Sequence, residues 1–142
     1  MKSIFAILIL TLLINLSGFC QCDKKILMTA SKTEFLGADS SVQRSEDEPS
    51  KVEFDRNSIT VTHGEHDEKE NGKINSYTCN WPQPFKQGKT VMKVTFTGGN
   101  GETMDATITI EGKGNKIGFL VELDNQPDKK IRLTIDSFEE KK

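Results

Sequence analysis

The chain has 142 residues, of which 28% are charged and 7% aromatic, and its formal net charge is −2 at pH 7. Acidic and basic residues are interspersed, so the sequence has no basic patch of the kind that binds nucleic acid. This length suits a single domain with a modest hydrophobic core.

The N-terminal segment has the features of an export signal. Lys2 is followed by an apolar run, residues 4–14, which is shorter than the roughly 20 residues that cross a bilayer. We therefore predict that residues 1–20 are a cleaved signal peptide. The mature protein, residues 21–142, would be periplasmic or extracellular, without a transmembrane segment. The alternative is a membrane-anchored lipoprotein acylated at Cys20.

Cys22 and Cys79 remain after the signal is removed. An even number of cysteines in an oxidising compartment favours a disulfide between them. It would close a loop of roughly 58 residues and stabilise the fold by about 4 kcal/mol in the chain-entropy model. The alternative is two free, separately buried thiols.

Strands are predicted along nearly the whole mature chain. Ile26, Met28 and Ala30 open a strand that runs to about Phe35, and a more polar second strand contains Val42. From Lys51 onward, apolar and polar residues alternate with a period of two, as in antiparallel sheet wetted on one face. The apolar positions of these seven strands are Val52 and Phe54; Ile59 and Val61; Tyr77, Cys79 and Trp81; Met92, Val94 and Phe96; Met104, Ala106, Ile108 and Ile110; Ile117, Phe119, Val121 and Leu123; and Ile131, Leu133 and Ile135.

The connections between these strands are mostly short and rich in turn-forming residues. No segment has helical periodicity. The predicted turns are residues 39–41, 46–50, 56–57, 98–101 and 112–115, and Asn125 to Asp128, with Pro127 at the second position of a type I turn. Two longer loops are predicted, from His63 to Lys73 and from Pro82 to Lys89.

Eight or nine consecutive strands joined by tight turns indicate an all-β, up-and-down antiparallel meander. A meander of this length avoids exposed edge strands by closing into a barrel. The alternative is a β-sandwich, which requires longer crossing connections.

The signal segment, the mature length and the hairpin-linked strands together resemble the lipocalin-like, or calycin-type, small secreted barrels. The Gly-x-Trp signature of true lipocalins is missing near the first strand, and the only tryptophan is Trp81. Arg132-x-Thr134 lies on the outward phase, unlike the inward Arg-x-Tyr pair of intracellular lipid-binding barrels. The resemblance implies a fold that binds small apolar ligands.

Five aromatic residues are candidates for contact with such a ligand. Phe96 and Phe119 have the inward phase, as do Tyr77 and Trp81, and Phe85 follows two prolines in the segment after Trp81. Large aromatic side chains usually serve packing. The alternative is therefore that Trp81 plugs one end of the barrel and Phe85 anchors the loop.

The segment His63 to Glu70 is the only cluster of metal-ligand residue types. His63 and His66 could bind Zn²⁺ or Cu²⁺ together with nearby carboxylates, but the charge run is more typical of an exposed hairpin tip. We therefore assign no metal site and expect no cofactor. No inward acid pair, nucleophile elbow or phosphate loop is present, so we do not expect an enzyme.

The sequence thus predicts an exported, monomeric β-barrel that binds a small apolar or amphipathic ligand. Two alternatives remain. The first is a non-catalytic structural or interaction module with a solid core, since an apolar inner face needs no ligand to explain it. The second is weak metal capture by residues 63–70.

Overall fold

Nine β-strands make up most of the part of the chain that the computed structural model describes, residues 21–142. The predicted signal peptide, and Cys20 with it, lies outside these residues. A short 3₁₀ helix, Gln21–Asp23, precedes the strands, and no α-helix occurs between residues 21 and 142. The strands are β1 (Ile26–Leu36), β2 (Val42–Glu46), β3 (Ser50–Phe54), β4 (Ser58–His63), β5 (Glu68–Gln83), β6 (Gln87–Thr97), β7 (Thr103–Lys113), β8 (Lys116–Leu123) and β9 (Gln126–Glu140).

The strands form one antiparallel sheet that closes on itself. Each strand from β3 to β9 pairs with the next, and β1 pairs with both β3 and β9, which closes an eight-stranded barrel. Strand β2 is additional and pairs with the second half of β1, on the edge that β3 leaves free. The predicted all-β meander and its closure into a barrel are confirmed. The alternative sandwich is wrong, because ten residue pairs join the first strand to the last.

The period-two alternation places the apolar side chains inside the barrel. Burying a large aliphatic or aromatic side chain contributes about 1.5–3 kcal/mol, so this inner set is the main source of stability. Arg132 lies on the outer face, as its phase predicts, and pairs there with Glu34. The inner side chains that are at most 2% exposed include Ile26, Met28, Val52, Phe54, Met92, Val94, Ile108, Ile110 and Phe119.

The two predicted long loops are wrong, since both segments are mostly strand. Strand β4 ends at His63 and β5 begins at Glu68, and six residue pairs join these two strands. Backbone hydrogen bonds hold this ladder, so it forms although its side chains are mostly polar. At the other end of β5, Gln83 pairs with Gln87, and the connection is residues 84–86 alone.

The predicted turn at Asn125 to Asp128 is also displaced. Strand β8 ends at Leu123 and β9 begins at Gln126, which pairs with Leu123, whereas the preceding Glu122 pairs with Lys130. Residues 127–129 therefore bulge out of the sheet and pair with neither β8 nor β1. Proline is tolerated at such a bulge because it has no N–H to contribute to the ladder.

Candidate functional site

The two ends of the barrel are covered differently. The closed end carries the 3₁₀ helix and the connections at residues 55–57, 84–86 and 114–115. The open end carries the connections at residues 37–41, 64–67, 98–102 and 124–125.

Three aromatic side chains fill the closed end. The Phe138 ring makes edge contacts with Trp81 and Phe85, with ring centroids 5.3 and 5.0 Å apart. Trp81 Nε1 donates a hydrogen bond of 2.8 Å to Thr90 Oγ1, which satisfies the buried indole N–H. Gly112 allows this close packing, because a Cβ there would lie 2.7 Å from Trp81 Cζ3. Side chains therefore block this end.

A disulfide fastens the 3₁₀ helix to the closed end. Cys22 and Cys79 are bonded, with their Cα atoms 5.8 Å apart, which confirms the predicted pair. The Gln21 side-chain oxygen accepts a hydrogen bond from the backbone N–H of Phe85. The N-terminal turn thus covers the connection between β5 and β6.

Three of the five aromatic residues predicted to contact a ligand lie toward the closed end. Trp81 is 8% exposed and packs with Phe85 and Phe138 in the aromatic cluster that blocks the closed end. The Tyr77 ring is partly buried, and the Arg56 guanidinium carbon lies 5.5 Å from its centroid. These positions match the alternative role of Trp81 and Phe85 as a plug and its anchor.

The other two, Phe96 and Phe119, lie in the barrel interior, Phe96 near the open end and Phe119 near the middle of β8. With Val61, Ile108 and Leu133 they line a cavity of about 60 Å³. Pockets for small molecules usually measure about 300–1,000 Å³. The interior therefore leaves room for water-sized molecules, and its side chains form a nearly solid core.

A larger cleft opens at the same end, between the β1–β2 hairpin and the β8–β9 hairpin. Its volume is about 710 Å³, which is within the range of small-molecule pockets. Phe35, Leu36, Ala38, Leu123 and Ile131 form its apolar wall. Leu123 and Ile131 also line the interior cavity, so these two side chains separate the cleft from the core.

The strand register places Arg44 on the face of β2 that continues the inner face of the barrel, beside this cleft. Residues directly opposite each other on neighbouring strands share a face of the sheet. Opposed pairs lead from buried Ile108 through Val121, Ile131 and Phe35 to Arg44. The Arg44 guanidinium carbon lies 4.2 Å from the centroid of the Phe35 ring. A cation therefore stacks on the aromatic residue of the apolar wall.

The bulge of β9 supplies the other charged groups of the cleft. Asp128, Lys129 and Lys130 all line it. Lys130 Nζ lies 3.7 Å from Glu122 Oε2. Lys129 takes part in no ion pair with any residue in the range 21–142. Its ammonium group is thus available to a bound anion.

A third hollow, of about 210 Å³, lies beside the β6–β7 connection. It shares Glu70, Phe96 and Met104 with the interior cavity. The Met104 side chain is 41% exposed. The open end therefore presents a series of adjoining hollows, of which the cleft is both mostly apolar and large enough for a ligand.

His63 and Glu70 form a polar pair in the lining of the interior cavity. Glu70 stands opposite Val61, and His63 follows Val61 by two residues, so both have the inward phase. His63 Nε2 lies 3.9 Å from Glu70 Oε2, and Nδ1 lies 3.4 Å from Ser50 Oγ. The interaction with the Glu70 carboxylate raises the pKa of His63, against the opposing effect of partial burial. The same interaction lowers the pKa of Glu70.

The second predicted metal candidate, His66, is exposed in the turn at residues 64–67. Between residues 21 and 142, no three His, Cys, Asp or Glu side chains converge to hold a metal ion. The structure joins His63 to Glu70 and Ser50 rather than to His66.

The alternation pattern does not mark the cleft residues as a site. Phe35 reads as the end of a strand, and Arg44 belongs to β2, whose residues are nearly all exposed. One signal does point there: the charged run Asp128, Lys129 and Lys130 separates Pro127 from the alternation that begins at Ile131. The sequence assigns part of this region to a turn, whereas the structure forms a bulge, and bulges are common at barrel rims and beside functional sites.

No protein-family model matches the chain, and comparison with curated proteins and with solved structures gives no match either. Among residues 21–142, no helix has the length and apolar character needed to cross a membrane. The likeness to lipocalin-like proteins therefore consists of the architecture, a closed eight-stranded antiparallel barrel.

Proposed function

We propose that this protein is an exported, monomeric barrel of lipocalin-like type that binds one small apolar or amphipathic molecule in the cleft at its open end. The observation that carries the proposal is the 710 Å³ cleft with its wall of Phe35, Leu36, Leu123 and Ile131. Mostly apolar concave surfaces with a few polar groups are typical of ligand sites.

The proposed binding mode differs from that of a barrel with a hollow interior. The interior cavity of about 60 Å³ is too small for a ligand, so the molecule would lie across the mouth. The proposed role is binding without catalysis: the cleft lining has no Ser, Thr, Cys, His or Tyr side chain, and we assign its ionisable groups, Arg44, Asp128, Lys129 and Lys130, to ligand contact.

Export is supported by the disulfide as well as by the predicted signal peptide. Disulfides persist in oxidising compartments and are rare in the cytosol. The Cys22–Cys79 bond joins the first described turn to β5 and so suits a protein that matures outside the cytosol.

An uncharged fluorescent probe tests the binding proposal. N-phenyl-1-naphthylamine brightens in apolar sites, and we expect saturable brightening with one probe per chain. Phe35→Ala removes an aromatic wall of the cleft and should weaken binding by about 1 kcal/mol, or about fivefold. Val42→Ala is the matched control, because Val42 is 49% exposed on the same hairpin but does not line the cleft.

The emission of Trp81, at the closed end, would show that each variant remains folded. Folded protein that gives no saturable brightening would refute the proposal and favour the competing function, an interaction module with a solid core. Equal weakening by Phe35→Ala and Val42→Ala would show that the probe binds elsewhere.

A further inference from the structure

The charged groups of the open-end cleft have an uneven distribution. Arg44, Lys129 and Lys130 line it against a single acid, Asp128, in a chain whose formal net charge is −2. The cleft lining therefore has more basic than acidic side chains on a protein that is acidic as a whole, although Glu46 and Glu122, just outside the lining, pair with Arg44 and Lys130. From this we propose that the ligand is an anionic amphiphile, with one carboxylate or similar headgroup attached to an apolar chain. This inference rests on the proposed function.

Arg44 is the first of the two groups that we assign to the headgroup. Its guanidinium stacks on Phe35, so an anion bound to it would lie next to the apolar wall. Arg44 already pairs with Glu46 at 3.2 Å, but the Arg44 side chain is 63% exposed. Ion pairs this exposed contribute little free energy, so the headgroup can replace Glu46 at little cost.

Lys129 is the second group. It belongs to the bulge of residues 127–129, and no residue between 21 and 142 pairs with its ammonium. Lys130 contributes less, because Glu122 partly neutralises it. Glu46 and Glu122, the acids that pair with Arg44 and Lys130, are not part of the cleft lining. A ligand anion would therefore meet cations from two separate hairpins.

The shape of the site favours a single free molecule over a membrane surface. The apolar residues of the cleft line a concave space of about 710 Å³. Large hydrophobic side chains that are strongly exposed, which a bilayer would require, are limited within residues 21–142 to Val42 and Met104. Neither of them lines the cleft.

A comparison of matched amphiphiles tests the inference. Decanoate, decyltrimethylammonium and 1-decanol share a ten-carbon chain and differ in headgroup charge. Each would be tested for displacement of bound N-phenyl-1-naphthylamine at pH 8, the two ionic compounds below their micelle-forming concentrations and 1-decanol below its solubility limit. We expect decanoate to compete about five- to tenfold better than the cation, as for a charge-assisted contact worth about 1 kcal/mol or more. High salt should reduce this difference.

Two variants connect the preference to the assigned residues. Arg44→Gln and Lys129→Gln should each weaken the binding of decanoate severalfold and leave the binding of 1-decanol unchanged. Arg56→Gln is the matched control, because Arg56 also pairs with an acid, Asp23, and also faces an aromatic ring, Tyr77, but lies at the closed end.

Each result has a defined meaning. Equal competition by decanoate and decyltrimethylammonium, with the uncharged probe still bound, would overturn the inference and leave the proposed function standing. Failure of the probe itself to bind would overturn both. Binding to vesicles of anionic phospholipid without any displacement by decanoate would also overturn the inference, since it assigns the site to a membrane. The inference would be supported if Arg44→Gln abolishes the preference for decanoate and Arg56→Gln retains it.

Discussion

Removal of the Cys22–Cys79 disulfide should lower the stability of the barrel substantially. The two residues are 57 positions apart, and the loop between them contains β1 to β4 and most of β5. In the chain-entropy model, a loop of this length raises the free energy of unfolding by about 4 kcal/mol. For a domain of this size, we expect the melting temperature to fall by about 10–20 °C.

The double variant Cys22→Ala/Cys79→Ala provides the measurement. Cys22 is 6% exposed, and alanine leaves no unpaired thiol or buried hydroxyl there. Urea unfolding followed by Trp81 fluorescence would give the midpoint and the slope. We expect a lower midpoint and a slightly steeper slope, because the unfolded chain without the bond exposes more surface.

Two outcomes would refute this reasoning. A loss below about 1 kcal/mol would show that the bond does not restrict the unfolded chain as the loop-closure estimate requires. A loss well above 5 kcal/mol would mean that native contacts at the closed end are lost as well. The control is the wild-type protein unfolded in a reducing agent, which should reproduce the variant's midpoint.

Two further predictions concern hydrogen-bonded and ionised groups. Thr90→Val should cost about 1–3 kcal/mol of unfolding free energy, because the buried N–H of Trp81 loses its acceptor; urea unfolding would measure this. The His63–Glu70 pair should stabilise the fold most between about pH 4.5 and 6.5, by less than about 1 kcal/mol since both side chains are partly exposed. Because folding raises the pKa of His63, its contribution to the free energy of unfolding is complete below about pH 6.5. This contribution is lost as the pH rises through the pKa of His63 in the folded protein. The lowered pKa of Glu70 gives a contribution present above 4.5 and lost as the pH falls; urea midpoints across this range would test both.

Conservative variants serve as controls for both predictions. Thr90→Ser keeps the hydroxyl, so it should retain most of the stability that Thr90→Val loses; equal losses would assign the effect to packing. Glu70→Gln should lower the pKa of His63 in a proton NMR titration and flatten the pH dependence. An unchanged His63 titration in Glu70→Gln would contradict the assigned cause of the pKa shift.

The strand pattern predicts the barrel because it is a local property repeated along the chain. Residues such as Val94, Ile108 and Phe119 alternate with polar neighbours, and the same residues are buried in the structure. The segment from Glu68 to Lys73 escapes this prediction because its side chains are polar on both faces. It is nevertheless a strand, since backbone pairing with β4 holds it.

The candidate site depends on contacts that no local pattern contains. Phe35 and Arg44 come from the first hairpin, whereas Leu123, Lys129 and Ile131 come from the last. Closure of β1 against β9 brings the two hairpins together. The bulge at residues 127–129, which carries Lys129, follows from the register of β8 against β9.

By itself, the sequence determined the all-β class, most of the inward residues and the cysteine pair. Alternation is a local property of each strand, and the two cysteines after Cys20 allow only one pair. Only the tertiary structure decided which end of the barrel is closed and where a ligand-sized cleft lies. The physical reason is packing. Trp81, Phe85 and Phe138 fill one end, the interior side chains leave only about 60 Å³, and the cleft forms where the hairpins extend beyond that filled core.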